Sequence, residues 1–122
     1  DMAEFCDRRT TGFSQGQRVK VALARALIHD PSNVILDEPT NGLDVMATRG
    51  LREIILGLRD EGRCVLFSSH IMQEVANLCD RLVVIDEGIV KYQGPLGGLR
   101  EQTGQEDLEE AFIRLIEPKA DP

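Results

Sequence analysis

Long hydrophobic runs are missing from this sequence of 122 residues. The longest apolar runs are short, such as residues 82–85, whereas a helix that spans a membrane needs about 20 consecutive apolar residues. The sequence also shows no secretory signal pattern. We therefore expect neither a membrane-spanning nor a secreted protein. Because the sequence starts at Asp1 without a methionine, we also expect it to be a piece of a longer protein.

Cysteine is scarce and its spacing carries no metal-binding pattern. The three cysteines, Cys6, Cys64 and Cys79, lie far apart in the sequence. An odd number of cysteines without a secretory signal is typical of proteins in the reducing cytosol. Cys64 lies inside an apolar run, which predicts a place in the core.

Clustered positive charge is also missing, since 21 acidic residues outweigh 14 basic ones and the net charge is −7. From Glu101 onward there are seven acidic and two basic residues. Binding of a nucleic-acid backbone needs clustered Lys and Arg, so we expect no nucleic-acid partner. The acidic C-terminal segment is most simply the solvated face of a helix.

Helical and strand patterns alternate along the chain, which predicts an α/β fold. Successive strands joined by helices imply right-handed parallel crossovers, and the turn at residues 86–88 predicts an antiparallel hairpin strand after it. The predicted helices cover residues 14–30, 46–60, 71–78 and 108–115, and the predicted strands cover residues 33–37, 64–67, 82–85 and 89–92.

The most informative segment is residues 34–38, in which a buried strand pattern ends in two adjacent carboxylates, Asp37 and Glu38. Burial of both carboxylates would be costly, so we expect them to face a cation or a cleft. Ligands of open α/β sheets bind at the carboxyl edge of the strands. The pair therefore predicts Mg-nucleotide chemistry, with Asp37 toward the metal and Glu38 toward an attacking water. The alternative is a strand followed by an acidic turn.

A helix start at residues 13–17 is a second candidate site. Ser14 has the position of an N-cap, and Gly16 would let a phosphate approach the unpaired backbone N–H groups there. The alternative is an ordinary capped helix. His70 follows the second strand, where it could contact a phosphate oxygen or a water, although a lone histidine is more often structural.

Taken in order, these segments resemble the second half of the nucleotide-binding domain of ATP-binding-cassette (ABC) transporters. Residues 13–17 resemble the signature motif, residues 34–38 resemble Walker B with its catalytic glutamate, and His70 resembles the switch histidine. Between them, the turn made of Asn41, Gly42, Leu43 and Asp44 resembles the D-loop. The resemblance covers roughly residues 10–95 and is closest in look to sodium-export-type ABC ATPases.

The resemblance implies ATP and Mg²⁺ as cofactors and a role for each motif. Asp37 would hold Mg²⁺ through water, Glu38 would orient or deprotonate the attacking water, and His70 would contact the γ-phosphate. Two such domains dimerise head to tail in this family. The ATP bound to the partner would be contacted by Ser14, Gly16 and Gln17, and the dimer interface would include the D-loop residues Asn41, Gly42, Leu43 and Asp44.

The resemblance further implies an ATPase subunit that drives export, located in the cytoplasm at the inner face of the cell membrane through a membrane-spanning permease. It divides the chain into the end of a helical subdomain at residues 1–31, an α/β core of a partial P-loop NTPase sheet at 32–95, and a C-terminal helical tail at 96–122. The isolated chain would have open strand edges and marginal stability.

Two departures from the family pattern are visible. Phe13 and Gln15 replace a leucine and a glycine of the signature motif, and no P-loop pattern G-x-x-x-x-G-K-[ST] occurs in the chain. We therefore expect little or no ATP hydrolysis by this chain alone. Two alternatives stay open, namely a truncated, non-catalytic cassette that pairs with an intact one, and an ABC ATPase that is not part of a transporter.

Overall fold

The computed structural model describes residues 2–117 and divides at His70 and Ile71 into two compact units, which are treated separately below. The first unit contains a 3-10 turn at Thr10–Gly12 and the elements α1 (Gln15–Leu27), β1 (Asn33–Leu36), α2 (Val45–Asp60) and β2 (Cys64–Phe67). The second unit contains α3 (Met72–Leu78), β3 (Arg81–Asp86), β4 (Ile89–Pro95), α4 (Leu96–Thr103) and α5 (Leu108–Ile116).

Helix α1 begins where its sequence predicts. Ser14 is the N-cap, and it forms a capping box in which its hydroxyl accepts from the Gln17 N–H while the Gln17 side chain accepts from the Ser14 N–H. The helix ends at Leu27, three residues before the predicted end at Asp30. Asp30 precedes Pro31 and has a positive φ of 55°, which no helix continues through.

Strands β1 and β2 form a parallel pair, and their register places Ile35 beside Leu66. Val34 is buried on one face of the pair, but Ile35 and Leu66 are 76% and 62% exposed on the other. The expectation that these strands are buried therefore holds for one face only. Cys64 is exposed, so its predicted place in the core is wrong. Alternation in a strand sends neighbours to opposite faces, and Cys64 shares the open face with Leu66.

Helix α2 packs one apolar stripe inside the first unit. Asp44 caps it by accepting from the Ala47 N–H at 2.8 Å, and Leu51, Ile55 and Leu58 are buried at i, i+4 and i+7 spacing. Ahead of α1, Phe5 and Phe13 are both buried and meet edge to face with their ring centroids 5.1 Å apart. The N-terminal segment thus contributes an apolar contact.

The second unit is an antiparallel hairpin with helices on one face. β3 and β4 pair with a bulge between Val84 and Ile85, so the predicted hairpin is confirmed. Its core cluster consists of Val75, Val84, Tyr92, Leu99, Leu108 and Ala111. Leu108 and Ala111 lie on the predicted tail helix, and their burial shows that this helix packs on the hairpin rather than standing in solvent.

Helix α4 is absent from the sequence-based prediction because Gly97 and Gly98 lie in its first turn and disfavour a helix. Packing overrides that preference, since Leu99 is completely buried. Gly98 has a specific reason to be glycine. A β-carbon there would lie 2.5 Å from the Tyr92 hydroxyl oxygen, which donates to the Pro95 carbonyl at 2.7 Å.

The predicted α/β class is confirmed, with one parallel and one antiparallel strand pair in separate two-stranded sheets. The division into residues 1–31, 32–95 and 96–122 stays a prediction. Among residues 2–117, none of the helices combines the length and the apolar character that crossing a bilayer demands.

Candidate functional site

Polar side chains meet at the carboxyl edge of the β1–β2 pair. Asp37 directly follows β1 and Ser68 directly follows β2, and the Ser68 N–H donates to the Leu36 carbonyl at 3.0 Å. This bond extends the strand ladder by one residue. The extended register places Asp37 beside Ser68, at the edge where ligands of such sheets bind.

Glu38 and His70 lie in direct contact at the same edge. His70 Nδ1 is 3.0 Å from Glu38 Oε2. The His70 side chain is 69% exposed and the Glu38 side chain 34%, so both are accessible to a ligand or water. The structure therefore brings together the second carboxylate and the imidazole, which lie 32 positions apart in the chain.

The backbone at Glu38 is unusual for a residue with a side chain. Its φ is +44°, in the left-handed region that favours glycine. The conformation is held on both sides, because the Glu38 N–H donates to the Ser68 hydroxyl oxygen at 2.8 Å and the Glu38 carbonyl accepts from the Asn41 N–H at 3.1 Å. Strained backbone conformations of this kind persist only where surrounding contacts hold them in place, and they are found most often at functional sites.

Sequence reasoning gave Ser68 no role, yet Ser68 lies at the centre of this cluster. Its hydroxyl donates to Asp37 Oδ1 at 2.5 Å while it accepts from Glu38. The available signal was its position one residue past a strand. Predicting the contact also needed the strand register, which sequence patterns on two short strands do not determine.

The start of α1 keeps its capping groups occupied. Ser14 and Gln17 bond to each other, which leaves the N–H groups of Gln15 and Gly16 as the helix-start donors that the capping box does not engage. Gly16 also packs closely, because a β-carbon there would lie 3.4 Å from the Ala47 β-carbon at the start of α2. Glycine at this position therefore suits the packing of two helices as well as an approaching anion.

The turn that resembles the D-loop connects the acid pair to α2. Gly42 has a φ of +73°, which suits glycine, and the Leu43 N–H donates to the Thr40 carbonyl at 3.2 Å. One oxygen of Asp44 caps α2. Asn41 bonds back to Glu38, so the turn and the acid pair form one hydrogen-bonded segment.

The cluster can accept a divalent cation only with help from other ligands. Within residues 2–117, no group of three or more His, Cys, Asp or Glu side chains is arranged to hold a metal. Asp37 offers one carboxylate, with Glu38 next to it in sequence. Mg²⁺ is commonly held by one or two carboxylates, with waters and substrate phosphates as the other ligands. The residues therefore fit Mg²⁺ that arrives with a nucleotide.

Comparison with known proteins identifies the family. A family model described as "ABC transporter" matches residues 1–41. "ABC transporter ATP-binding protein NatA" of Bacillus subtilis is 49% identical over 115 residues, which are 94% of this chain and 47% of that protein. "Lantibiotic transport ATP-binding protein SrtF" of Streptococcus pyogenes is 42% identical over 104 residues, 85% of this chain and 43% of that protein.

A solved structure agrees with the sequence comparison. The chain matches an "ATP binding subunit of ABC transporter" with a TM-score of 0.79 and 33% identity, over 88% of this chain and 45% of that one. The chain thus spans less than half the length of these relatives. The resemblance inferred from the motifs is confirmed, and the chain belongs to the family of ABC transporter ATP-binding proteins.

Proposed function

We propose that this chain is the second half of an ABC-type ATPase subunit, in which ATP binding and hydrolysis are coupled to export across a membrane. The observation that carries the proposal is the contact between Glu38 and His70 beside the Asp37–Ser68 pair. These are the groups that water activation and phosphate contact require, at the ligand-binding edge of a parallel strand pair. The name of SrtF, a lantibiotic transport ATP-binding protein, supports a role in transport.

The proposed chemistry is mostly positioning. Glu38, accessible and next to His70, orients or deprotonates the water that attacks the terminal phosphate. His70 contacts the γ-phosphate, and its bond to Glu38 fixes the imidazole orientation. Asp37 would hold Mg²⁺, and the bound ion would supply charge neutralisation at the phosphates. In phosphoryl transfer, such placement and electrostatic stabilisation account for most of the catalysis.

The start of α1 takes part in a second way. We propose that Ser14, Gly16 and Gln17 contact the ATP of a second cassette in a head-to-tail dimer. The uncapped N–H groups at this helix start and the positive end of the helix dipole are suited to an anion. The turn from Asn41 to Asp44 would lie at the interface, and a permease subunit would hold the dimer at the inner face of the membrane.

A second candidate is a non-catalytic cassette that pairs with an intact one, which a chain without a P-loop pattern in its 122 residues also fits. Its α1 start would complete the partner's site. In either case, we expect this chain alone to hydrolyse little or no ATP, because the P-loop provides the main phosphate contacts. ATP turnover of about 10 per second by this chain alone would contradict this expectation.

The test joins the 122 residues to the upstream half of an ABC cassette. Glu38→Gln in this restored cassette should lower ATP turnover by at least about a hundredfold, because the amide cannot accept the proton of water. ATP binding should persist. Phosphate release measures turnover, and a fluorescent ATP analogue measures binding.

The matched control is Glu53→Gln, which makes the same chemical change on the exposed surface of α2, where Glu53 pairs with Arg49. It should leave both readouts near wild type. Unchanged turnover in Glu38→Gln would remove Glu38 from its assigned role. A restored wild-type cassette without any ATP-dependent dimerisation or turnover would contradict the proposed function as a whole.

A further inference from the structure

One hydroxyl group connects the two adjacent carboxylate residues of the site. Ser68 Oγ lies 2.5 Å from Asp37 Oδ1 and 2.8 Å from the Glu38 backbone nitrogen. Ser68 itself is anchored by its own N–H, which donates to the Leu36 carbonyl at 3.0 Å. The hydroxyl therefore stands at a fixed point, one residue past the end of β2 and directly opposite Asp37.

The direction of each bond follows from the chemistry of the groups. The Glu38 N–H can only donate, so Ser68 Oγ accepts there. The one hydroxyl proton is then free to point at Asp37, whose ionised carboxylate can only accept. A hydroxyl that donates to a carboxylate makes a short, charge-assisted bond, which matches the 2.5 Å separation.

The two bonds separate the neighbouring acids. Asp37 is held toward β2 by Ser68, while Glu38 turns with its φ of +44° and its carboxylate reaches His70. Without a group that accepts from the Glu38 N–H, the left-handed backbone would lose one of its two hydrogen bonds. The split gives Asp37 and Glu38 different surroundings and different partners.

We propose that Ser68 is a positioning residue for this site, acting through Asp37 on the bound Mg²⁺ and through the backbone on the direction of the Glu38 carboxylate. The proposal rests on the proposed ATPase function for its kinetic consequence. The alternative is that the hydroxyl only caps the end of β2, in which case its loss would affect folding and leave the site geometry and metal dependence unchanged.

The first arm of the test uses the 122-residue chain itself and needs no ATPase activity. A positive φ at Glu38 places its amide and α protons close together, and NMR detects this as a strong intraresidue cross-peak. Ser68→Ala should weaken that cross-peak, and Ser68→Thr, which keeps the hydroxyl, should retain it. Ser32→Ala is the matched control, because it removes an exposed hydroxyl at the opposite end of the same strand pair.

The second arm uses the restored cassette. Ser68→Ala should raise the Mg²⁺ concentration that gives half-maximal turnover and lower kcat, each by about 10–100-fold, the usual effect of losing a partner that orients a metal ligand. The KM for ATP at saturating Mg²⁺ should stay near wild type. The Mg²⁺ midpoint does not depend on how much of the protein is folded, so a merely structural role would not move it.

The outcomes separate cleanly. An Ser68→Ala variant with an unchanged Glu38 cross-peak or an unchanged Mg²⁺ midpoint would overturn the proposal, and so would a Ser68→Thr variant as impaired as Ser68→Ala. If the restored wild-type cassette shows neither turnover nor ATP-dependent dimerisation, the proposed function fails, whereas the NMR comparison in the chain still decides whether Ser68 sets the Glu38 backbone.

Discussion

The β1–β2 pair has an amino edge, where both strands begin, and a carboxyl edge, where both strands end. Side chains connect the two strands in a different way at each edge. At the amino edge, Arg63 donates to Asp30 at 2.6 Å, to Glu61 at 3.0 Å and to the Pro31 carbonyl at 2.8 Å. At the carboxyl edge, the bridge is the hydroxyl of Ser68. Both edges contain an acidic residue with a positive φ, 55° at Asp30 in one and 44° at Glu38 in the other.

The charge balance separates the two edges. The bonds to Asp30 and Glu61 raise the pKa of the Arg63 guanidinium, so the amino edge pairs a permanent cation with its carboxylates. At the carboxyl edge, neither Asp37 nor Glu38 forms an ion pair with a Lys or Arg of residues 2–117, and their side-chain partners there are Ser68 and His70. At the amino edge, the carboxylates of Asp30 and Glu61 are already paired with Arg63. The carboxyl edge has acidic groups suited to an incoming cation, which is the pattern expected of a binding site.

The largest difference between the two edges should come from removing one carboxylate at each edge of the restored cassette. Asp37→Asn should lower turnover at fixed Mg²⁺ by about 10–100-fold, because a metal-orienting charge is lost. Asp30→Asn should leave turnover close to wild type and lower the melting temperature instead. Phosphate release and circular dichroism measure the two effects. If Asp30→Asn impaired turnover as strongly as Asp37→Asn, the two edges would not differ in function.

A smaller effect is expected from Arg63→Met in the 122-residue chain. The substitution removes the guanidinium donors that join the α1–β1 turn to the start of β2, and it takes away the ion-pair partner of Asp30 and Glu61. The melting temperature should fall by several degrees at low salt, and high salt should narrow the difference because it screens exposed charges. Arg63→Lys keeps the positive charge but loses the planar guanidinium group. Its melting temperature should therefore lie between those of the wild type and Arg63→Met. An unchanged melting temperature would show that the amino edge owes nothing to Arg63.

The smallest effect concerns thiol reactivity. Cys64 is exposed at the amino edge, whereas burial, and then the negative charge of Asp80, raise the pKa of the Cys79 thiol. The neutral Cys79 thiol stabilises the fold below its unfolded pKa, and this contribution is lost as pH rises toward the folded value. Iodoacetamide at pH 8 should therefore label Cys64 before Cys79. A higher pH should increase the rate at which Cys79 is labelled.

Peptide mass spectrometry follows the labelling, and the urea-unfolded chain serves as the control in which both cysteines should react alike. Equal rates in the folded chain would contradict the assigned burial. In the Arg63→Met variant, faster labelling of Cys64 would show that the ion pairs restrain the start of β2.

Much of the fold and part of the site follow from sequence because the decisive signals are local. Ser14 and Asp44 mark helix starts through side chains that bond three residues ahead, and the turn before Ile89 marks a hairpin. The acid pair and His70 could be predicted to share an edge because each follows a strand of the same parallel pair.

The missed features depend on contacts between distant residues. Ser68 is an ordinary strand-end serine until the register places it opposite Asp37. Helix α4 forms against the preference of its glycines because Leu99 fills the core. Cys64 sits in an apolar run, but its strand is covered on one face only within the described residues. The burial of a strand residue thus depends on which elements pack on each face of the strand, and the strand's own sequence pattern does not determine that.

The open face formed by Ile35 and Leu66 has a practical consequence for the melting experiments. Dyes that fluoresce on apolar surfaces will bind this patch in the folded chain, so a dye-based thermal shift starts from a high signal and underreports the transition. Circular dichroism does not depend on such binding. The same patch favours self-association at high protein concentration, so dilute samples will give the melting temperature of a single chain.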